Sequence, residues 1–228
     1  MKKIIFGVFA HPDDEAFGPS GTLLMETKAG TELHLITLTV GDAGTNPDNH
    51  ADLGAVRLKE WKAAGKLIGA TSMHFLGYKD GQLNNQTLIE AGHKIVEIAQ
   101  QIIDKAGQAT EIEFMTSDLN GISGHIDHIV AARAATWAFY RLKTDDKRVT
   151  RIRLTCIPRT MMPESNINWL YMEPGRTDDE IGETVDARHL RPEIIEIMRT
   201  HHTQRGDGEG HIARRGDELG MNYFTIKT

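Results

Sequence analysis

The sequence predicts an α/β fold of three layers, with a mostly parallel β-sheet between helices on both faces. Short apolar segments alternate with segments of helical periodicity between residues 4 and 157, and this order is typical of parallel sheets. Polar segments rich in histidine and aspartate directly follow several of the apolar segments. Open parallel sheets bind ligands at this edge, so the same pattern predicts where a functional site lies.

The predicted strands are short runs of apolar or β-branched residues. The first, Ile4–Phe9 (IIFGVF), is of the kind that is covered on both faces. The later ones are Leu33–Val40, Thr71–Leu76, Ile112–Met115 and Arg151–Ile157. Strands in this order, with helices between them, would build the central sheet.

The predicted helices carry apolar side chains at roughly helical spacing and follow the strands in turn. They cover Gly21–Lys28, Ala51–Leu67, Leu88–Ile103, Ile126–Arg141 and Pro192–Thr203. Prolines and a glycine interrupt residues 158–190, where we expect an irregular lid or substrate loop. The residues after Thr203 are predicted to be a glycine-rich tail, and residues 1–228 to form a single domain.

Composition narrows the class of protein. The formal net charge is −6, with acidic and basic residues mixed along the chain, and without a long Lys/Arg-rich stretch a nucleic-acid partner is not expected. The single Cys156 excludes an internal disulfide and suits a reducing compartment. No stretch reaches the roughly 20 apolar residues that a membrane span requires. We expect a cytoplasmic protein that binds a small molecule and forms a homo-oligomer.

The sequence HPDDE at residues 11–15 follows the first predicted strand. Proline and acidic residues are common at a helix N-terminus, where they complement the helix dipole, so the acids alone do not indicate a function. His11 changes the interpretation, because imidazole and carboxylate are both ligands for divalent metals. A bound cation would also remove the repulsion among adjacent carboxylates.

A second cluster, GHIDH at residues 124–128, follows the fourth predicted strand. Its two histidines lie three residues apart and therefore share one face of a helix. A catalytic zinc ion needs three protein ligands and an open position. The candidates are His11, one of Asp13 or Asp14, and one of His125 or His128. Spacing alone does not choose within either pair.

Six motifs in this chain resemble, in the same order, those of the LmbE-like (PIG-L) zinc-dependent N-deacetylases. They are AHPDDEAFGPSGTL, TVGDAGTN, VRLKEWKAAGKLIG, LGYKDG, GHIDH and HHTQ. The resemblance spans residues 3 to 204, and the first and fifth motifs are the most specific. It implies a Rossmann-like fold and a hydrolase that removes the acetyl group from an N-acetylated amino sugar of the N-acetylglucosamine type, or from a related small molecule.

The resemblance also implies a role for individual residues. The zinc ligands would be His11, Asp14 and His128, although another divalent transition metal could replace zinc. Asp13 would be the general base on the zinc-bound water. His125 would assist at the tetrahedral intermediate, and Asp127 would orient its ring. The expected substrate-binding residues are Arg57 and Asp80, which match pocket positions of the family, and Asp42 on the loop after the second predicted strand.

Several questions stay open at this level. Either Asp13 or His125 could protonate the leaving amine, and His201 in HHTQ could contact substrate or tie the last helix to the active-site loops. Residues 158–190 match nothing in the family, so the substrate is not fixed. One alternative is an amidase that cleaves a larger amide, such as a thiol conjugate, with the same site. Another is a non-catalytic nucleotide- or phosphate-binding module, but no glycine-rich turn follows the first strand.

Overall fold

The computed structural model describes residues 2–162 and 175–228 of the chain. Its strands in chain order are β1 (Lys2–Phe9), β2 (Glu32–Thr39), β3 (Ser72–Tyr78), β4 (Thr110–Ser117), β5 (Val149–Cys156), β6 (Glu183–Asp186) and β7 (Met221–Lys227). Within the described residues they form one seven-stranded sheet in the order β3-β2-β1-β4-β5-β7-β6. The first five are parallel, and β7 is antiparallel to both β5 and β6.

Helices cover both faces of this sheet. They are α1 (Asp14–Phe17), α2 (Ser20–Lys28), α3 (Leu53–Ile68), α4 (Asn85–Ile103), α5 (Gly121–Gly124), α6 (Ile126–Asp145), α7 (Arg191–Thr200) and α8 (Arg205–Arg215). Alternate residues of β1 serve the two cores, since Phe6 packs with α4 and α6 whereas Ile5 packs with α2, α3 and α7. Because both faces of β1 are buried, its sequence is continuously apolar. The predicted three-layer α/β architecture is confirmed.

The predicted elements are present, with ends that differ by a few residues. The prediction of a glycine-rich tail is wrong, because residues 205–215 form α8 and residues 221–227 form β7. The glycines lower the helix propensity of α8, but tertiary packing outweighs it. His211 of α8 stacks on the Phe17 ring with ring centroids 6.4 Å apart, which ties the helix to the segment after β1.

The segment 158–190 is not irregular throughout. It contains two short 3-10 turns and the strand β6, which pairs with β7. A parallel β-bridge joins residues 158 and 176, which lie on either side of its central part. Residues 163–174, where the predicted lid has its centre, lie outside the described residues.

The carboxyl ends of the four neighbouring strands β1 to β4 lie at one edge of the sheet. The segments that follow them contain the histidines and aspartates singled out by the sequence. Among residues 2–162 and 175–228, no helix is long and apolar enough to cross a membrane.

Candidate active site

Three donor atoms from the predicted ligands converge at the carboxyl edge of the sheet. The Nδ1 atom of His11 lies 3.1 Å from Nε2 of His128, and that Nε2 lies 3.2 Å from Oδ1 of Asp14. The Nδ1 atom of His11 lies 3.9 Å from Oδ2, the other carboxylate oxygen of Asp14. Two ligands of a tetrahedral zinc ion at 2.0–2.1 Å lie about 3.3 Å apart. The donor set suits such an ion in chemistry. The His11–His128 and His128–Asp14 distances match its spacing, whereas the 3.9 Å between His11 and Asp14 is wider.

Backbone groups orient the other two candidate ligands, Asp14 and His128. The Oδ2 atom of Asp14 accepts hydrogen bonds from the backbone N–H groups of Ala10 (3.1 Å) and His11 (2.9 Å), which leaves Oδ1 facing His128. The Nδ1 atom of His128 lies 3.2 Å from the carbonyl oxygen of Gly121. This contact fixes the tautomer with a proton on Nδ1, so the Nε2 lone pair is available for a metal.

His11 is held by two carboxylates on the side away from its Nδ1 atom. Its Nε2 atom lies 2.9 Å from Oδ1 of Asp80 and 3.3 Å from Oδ2 of Asp127. Burial lowers the pKa of His11, but the hydrogen bonds that its ring donates to Asp127 and Asp80, with the charges of Asp14 and Asp80, outweigh burial and raise the pKa to about 10. The surrounding carboxylates thus favour a positive charge at His11. This charge can be that of a second ring proton or that of a metal ion bound in place of that proton.

The contacts of Asp127 differ from the expected role. Its carboxylate accepts hydrogen bonds from the backbone N–H groups of Gly81 (2.7 Å) and Leu83 (3.2 Å) and contacts His11, not His125. His125 is instead held by the backbone N–H of Asp127, which donates to its Nδ1 at 3.2 Å. Side chains two residues apart at a helix start do not face each other. The expected role of the Asp127 side chain in orienting the His125 ring stays a prediction, and the hydrogen bond that the structure gives this side chain to a histidine is with His11.

His125 lies beside the same cluster and is half-buried. Its ring centroid is 5.0 Å from that of His11 and 4.9 Å from that of His128, and one nitrogen of each ring lies within 4.8 Å of the others. Burial lowers the pKa of His125, and the neighbouring histidines lower it further. We favour Asp14 over His125 as the third ligand, because backbone hydrogen bonds already aim Asp14 Oδ1 at His128.

Asp13 has an unusual backbone conformation next to the ligand Asp14. Its φ is 118°, a region that residues other than glycine rarely adopt. Arg57 Nη2 donates to Asp13 Oδ2 (2.9 Å) and to the carbonyl of Pro12 (2.7 Å), and its Nη1 donates to Gly41 (2.6 Å). Burial raises the pKa of Asp13 to about 7, and the Arg57 charge opposes this shift.

The residues expected to bind substrate are therefore placed differently from the prediction. Arg57 is only 3% exposed, and its guanidinium holds Asp13 and two loops rather than facing a pocket. Asp80 is buried against His11 and accepts a hydrogen bond from the backbone N–H of Ala43 (2.9 Å). Only Asp42, on the loop after β2, is exposed. The sequence identified the positions but not the direction of their side chains.

A buried contact near Asp13 joins Glu15, for which the sequence predicted no role, to His201, for which it left two roles open. Glu15 is fully buried, its Oε1 lies 3.0 Å from Nε2 of His201, and its Oε2 accepts the backbone N–H of Asp13 at 3.2 Å. His201 is 1% exposed. The HHTQ motif was the available signal, and the contact supports the structural alternative, in which His201 ties the end of α7 to the active-site loop.

A cavity of about 350 Å³ adjoins Asp14 and His128 on the side of the sheet that carries β5 and β7. Its walls are largely apolar and include Phe17, Ile122 and Ile157. The candidate ligands Asp14 and His128 therefore lie at the edge of a space large enough for a small molecule.

Residues 6–139 match the sequence profile of the family described as PIG-L, GlcNAc-PI de-N-acetylase. The chain belongs to the PIG-L family. A relative from Streptomyces avermitilis, a 1D-myo-inositol 2-acetamido-2-deoxy-alpha-D-glucopyranoside deacetylase, is 31% identical over 262 residues, which cover 96% of this chain and 88% of the relative. The resemblance noted in the sequence is confirmed.

Solved structures support the fold. The N,N'-diacetylchitobiose deacetylase of Pyrococcus horikoshii aligns with a TM-score of 0.65 at 18% identity, over 99% of this chain and 82% of that one. GalB, the 4-carboxy-2-hydroxymuconate hydratase of Pseudomonas putida KT2440, aligns with a TM-score of 0.68 at 15% identity, over 100% and 97% of the two chains. Since a deacetylase and a hydratase share this fold, the fold alone does not define the reaction.

Proposed function

We propose that this protein is a metal-dependent hydrolase that removes the acetyl group from an N-acetylated amino sugar of the N-acetylglucosamine type. The observation that carries the proposal is that His128 Nε2 lies 3.1 Å from His11 Nδ1 and 3.2 Å from Asp14 Oδ1, while the charges of Asp14 and His11 also act on the carboxyl group of Asp13. The family and the deacetylase named among its relatives support the reaction and the class of substrate. Zinc is the metal that this donor set favours.

A divalent metal in this site would polarise an amide carbonyl and make a water molecule acidic near neutral pH. Asp13 takes the proton of the attacking water, because its carboxylate lies next to the ligands and Arg57 fixes its position. Asp80 and Asp127 orient His11 through its Nε2 atom. The sequence predicted that Asp80 binds substrate and that Asp127 orients His125, whereas in this proposal both act through the ligand His11.

His125 stabilises the negative charge that develops on the carbonyl oxygen. Its Nδ1 accepts the backbone N–H of Asp127, so the ring proton resides on Nε2, where it can be donated to that oxygen. The amine leaves only when it is protonated. Asp13 delivers the proton that it took from water, or His125 supplies one, and the pH dependence of a His125→Gln variant separates these routes.

The test is acetate release from a panel of N-acetylated sugars and amines, with and without added zinc. We expect release from N-acetylglucosaminides that a chelator abolishes and zinc restores. An Asp13→Asn variant should bind the metal but lose about 10²- to 10⁴-fold in turnover. Asp145→Asn, which alters an exposed ion pair on α6, is the control. Absence of acetate release from every substrate, or full activity of Asp13→Asn, contradicts the proposal.

Three further predictions from sequence accompany this function. A cytoplasmic location, a homo-oligomeric state and a single domain over residues 1–228 stay predictions. Light scattering on the purified chain measures the oligomeric state. Limited proteolysis followed by mass spectrometry tests whether the chain is a single domain.

A further inference from the structure

The turn after β4 contacts the candidate metal ligand His128 through a backbone carbonyl. This turn covers residues 118–124 and leads from the end of β4 into α6. The carbonyl oxygen of Gly121 lies 3.2 Å from Nδ1 of His128, the contact that leaves Nε2 of the ring available for a metal. The position of this carbonyl therefore bears on metal binding, and it depends on what holds the turn in place.

The backbone of this turn is strained. Gly121 has a φ of 73°, and a Cβ atom there would lie 2.8 Å from Cγ1 of Ile129, so glycine permits this close approach. Ile122 has a φ of 62° and a ψ of −59°, a conformation that a β-branched residue rarely adopts. Such conformations persist only where the surrounding structure holds them. The contacts that hold this turn should therefore come from outside it.

Asp118 joins the turn to the rest of the sheet. Its backbone N–H donates to the carbonyl of Thr155 on β5 (2.9 Å), and its own carbonyl accepts the N–H of Gly121 (2.8 Å). A displacement of Asp118 therefore moves the peptide that faces His128. The Asp118 carboxylate is only 3% exposed, and a buried carboxylate needs a partner of opposite charge.

Arg176 supplies this charge in a bidentate contact. Its Nε donates to Oδ2 of Asp118 at 2.6 Å, and its Nη2 donates to Oδ1 at 2.8 Å. Bidentate pairs of this kind fix geometry as well as charge. Arg176 is itself held by its backbone, because its N–H donates to the carbonyl of Ile157 (2.9 Å) and its carbonyl accepts the N–H of Arg159 (2.8 Å). The segment after β5 thus supports Asp118 from outside the turn.

A second partner of Arg176 does not belong to this turn. Its Nη1 donates to Oε1 of Glu180 at 3.2 Å, and the Glu180 side chain is 41% exposed. An ion pair at the surface contributes little to stability. The two shorter hydrogen bonds of the guanidinium go to Asp118, so its stronger contact is with the turn that reaches His128.

We infer that Arg176 is a positioning residue for the metal site: its contact with Asp118 holds the turn in the strained conformation that presents the Gly121 carbonyl to His128. The effect of Arg176 on turnover rests on the proposed deacetylase function, whereas its effect on metal binding does not. Arg176 lies outside residues 6–139, which the family profile matches.

The first experiment measures zinc affinity by competition with a chelator. Loss of a group that orients a metal ligand costs about 10- to 100-fold in affinity, and we expect about tenfold for Arg176→Gln because it acts through the turn. Arg176→Lys keeps the charge without the bidentate geometry, so its affinity should lie between those of Arg176→Gln and the parent. Glu180→Gln removes the other partner of the same arginine and should bind zinc as the parent does. Parent-like affinity of Arg176→Gln, or an equal loss in Glu180→Gln, overturns the inference.

A second comparison separates positioning from a general loss of stability, because breaking a buried ion pair also destabilises the fold. Arg153→Gln breaks another buried pair, whose partners Glu26 and Glu113 lie on α2 and β4. This variant should melt below the parent and keep its zinc affinity. Asp118→Asn keeps the shape of the side chain and should lose affinity, which keeps the test decisive if Arg176→Gln does not fold. An equal loss in Arg153→Gln and Arg176→Gln overturns the inference, as does parent-like affinity of Asp118→Asn.

A third measurement follows the contact itself. In NMR spectra of the zinc-loaded chain, the Nδ1 proton of His128 should exchange with water slowly in the parent and in Glu180→Gln, and faster in Arg176→Gln. An unchanged exchange rate in Arg176→Gln overturns the inference. If acetate release fails for every substrate while zinc affinity depends on Arg176, the proposed reaction is wrong and the positioning role stands. If acetate is released and zinc affinity does not depend on Arg176, the reaction stands and the positioning role is wrong.

Discussion

The buried pair formed by His201 and Glu15 lies behind the strained backbone of Asp13, and a His201→Ala variant removes one half of it. The Glu15 carboxylate is fully buried, and its oxygens contact His201 Nε2 at 3.0 Å and Asp13 N–H at 3.2 Å. Without His201 this carboxylate loses its charged partner in a site that water does not reach. Breaking a buried ion pair in this way costs about 3–5 kcal/mol.

This cost is a large part of the roughly 5–15 kcal/mol that stabilises a typical folded protein. For a chain of this size each kcal/mol shifts the melting temperature by about 2–4 °C. We therefore expect His201→Ala to melt about 6–20 °C below the parent by calorimetry. Turnover should also fall, because Glu15 no longer holds the Asp13 backbone in place, whereas metal content should stay near the parent value.

A double-mutant cycle with Glu15→Gln isolates the contact from the loss of the ring. If the pair interacts as described, the double variant is more stable than the sum of the single effects predicts, by about 2 kcal/mol or more. Thr200→Ala, one residue from His201 and outside the pair, is the matched control. A destabilisation of His201→Ala below about 1 kcal/mol would refute the reasoning. So would a double variant whose loss of unfolding free energy equals the sum of the two single losses within about 0.5 kcal/mol.

The other predictions concern the site and the pH dependence of stability. Arg57→Lys should lower kcat about 100-fold with little change in KM, because Lys cannot hold Asp13 and two carbonyls at once; a changed KM alone would contradict this. Asp80→Asn should weaken zinc affinity about 10- to 100-fold in a chelator competition, because Asp80 orients a ligand. Burial lowers the pKa of both His34 and His211 to about 4. The unfolded chain therefore binds protons that the folded chain does not as pH falls from about 6.5 to 4, so the melting temperature should fall over that window. A His34→Gln variant should show a shallower decline, and an unchanged slope would exclude His34 as a contributor.

The layers of the fold could be predicted from the sequence because local patterns determine them. The apolar run of β1 and the periodicity of α4 are visible without tertiary information. The end of the chain was mispredicted because α8 has three glycines within its eleven residues. Its stability comes from contacts such as that of His211 with Phe17, which are distant in sequence.

In the candidate site too, local sequence predicts some features, and tertiary contacts determine the others. The candidate ligands could be found because His11, Asp14 and His128 belong to compact motifs whose residue types suit a metal. The direction of the Arg57 and Asp127 side chains could not be predicted from the sequence, because it depends on how the loops that follow several strands meet. Glu15 and His201 are 186 residues apart, and only the fold brings them into contact.

The antiparallel strand β7 has a consequence for how this enzyme family can diversify. By pairing with β5 it returns the last part of the chain to the catalytic edge, so that α8 and residues 219–223 close the cavity. The candidate metal ligands, in contrast, come entirely from residues 11–128, within the stretch that the family profile matches. The cavity wall combines residues of that stretch, such as 14–21 and 122–128, with residues 211–223 outside it. Substitutions near the C-terminus can retune which molecule enters while the catalytic apparatus stays intact.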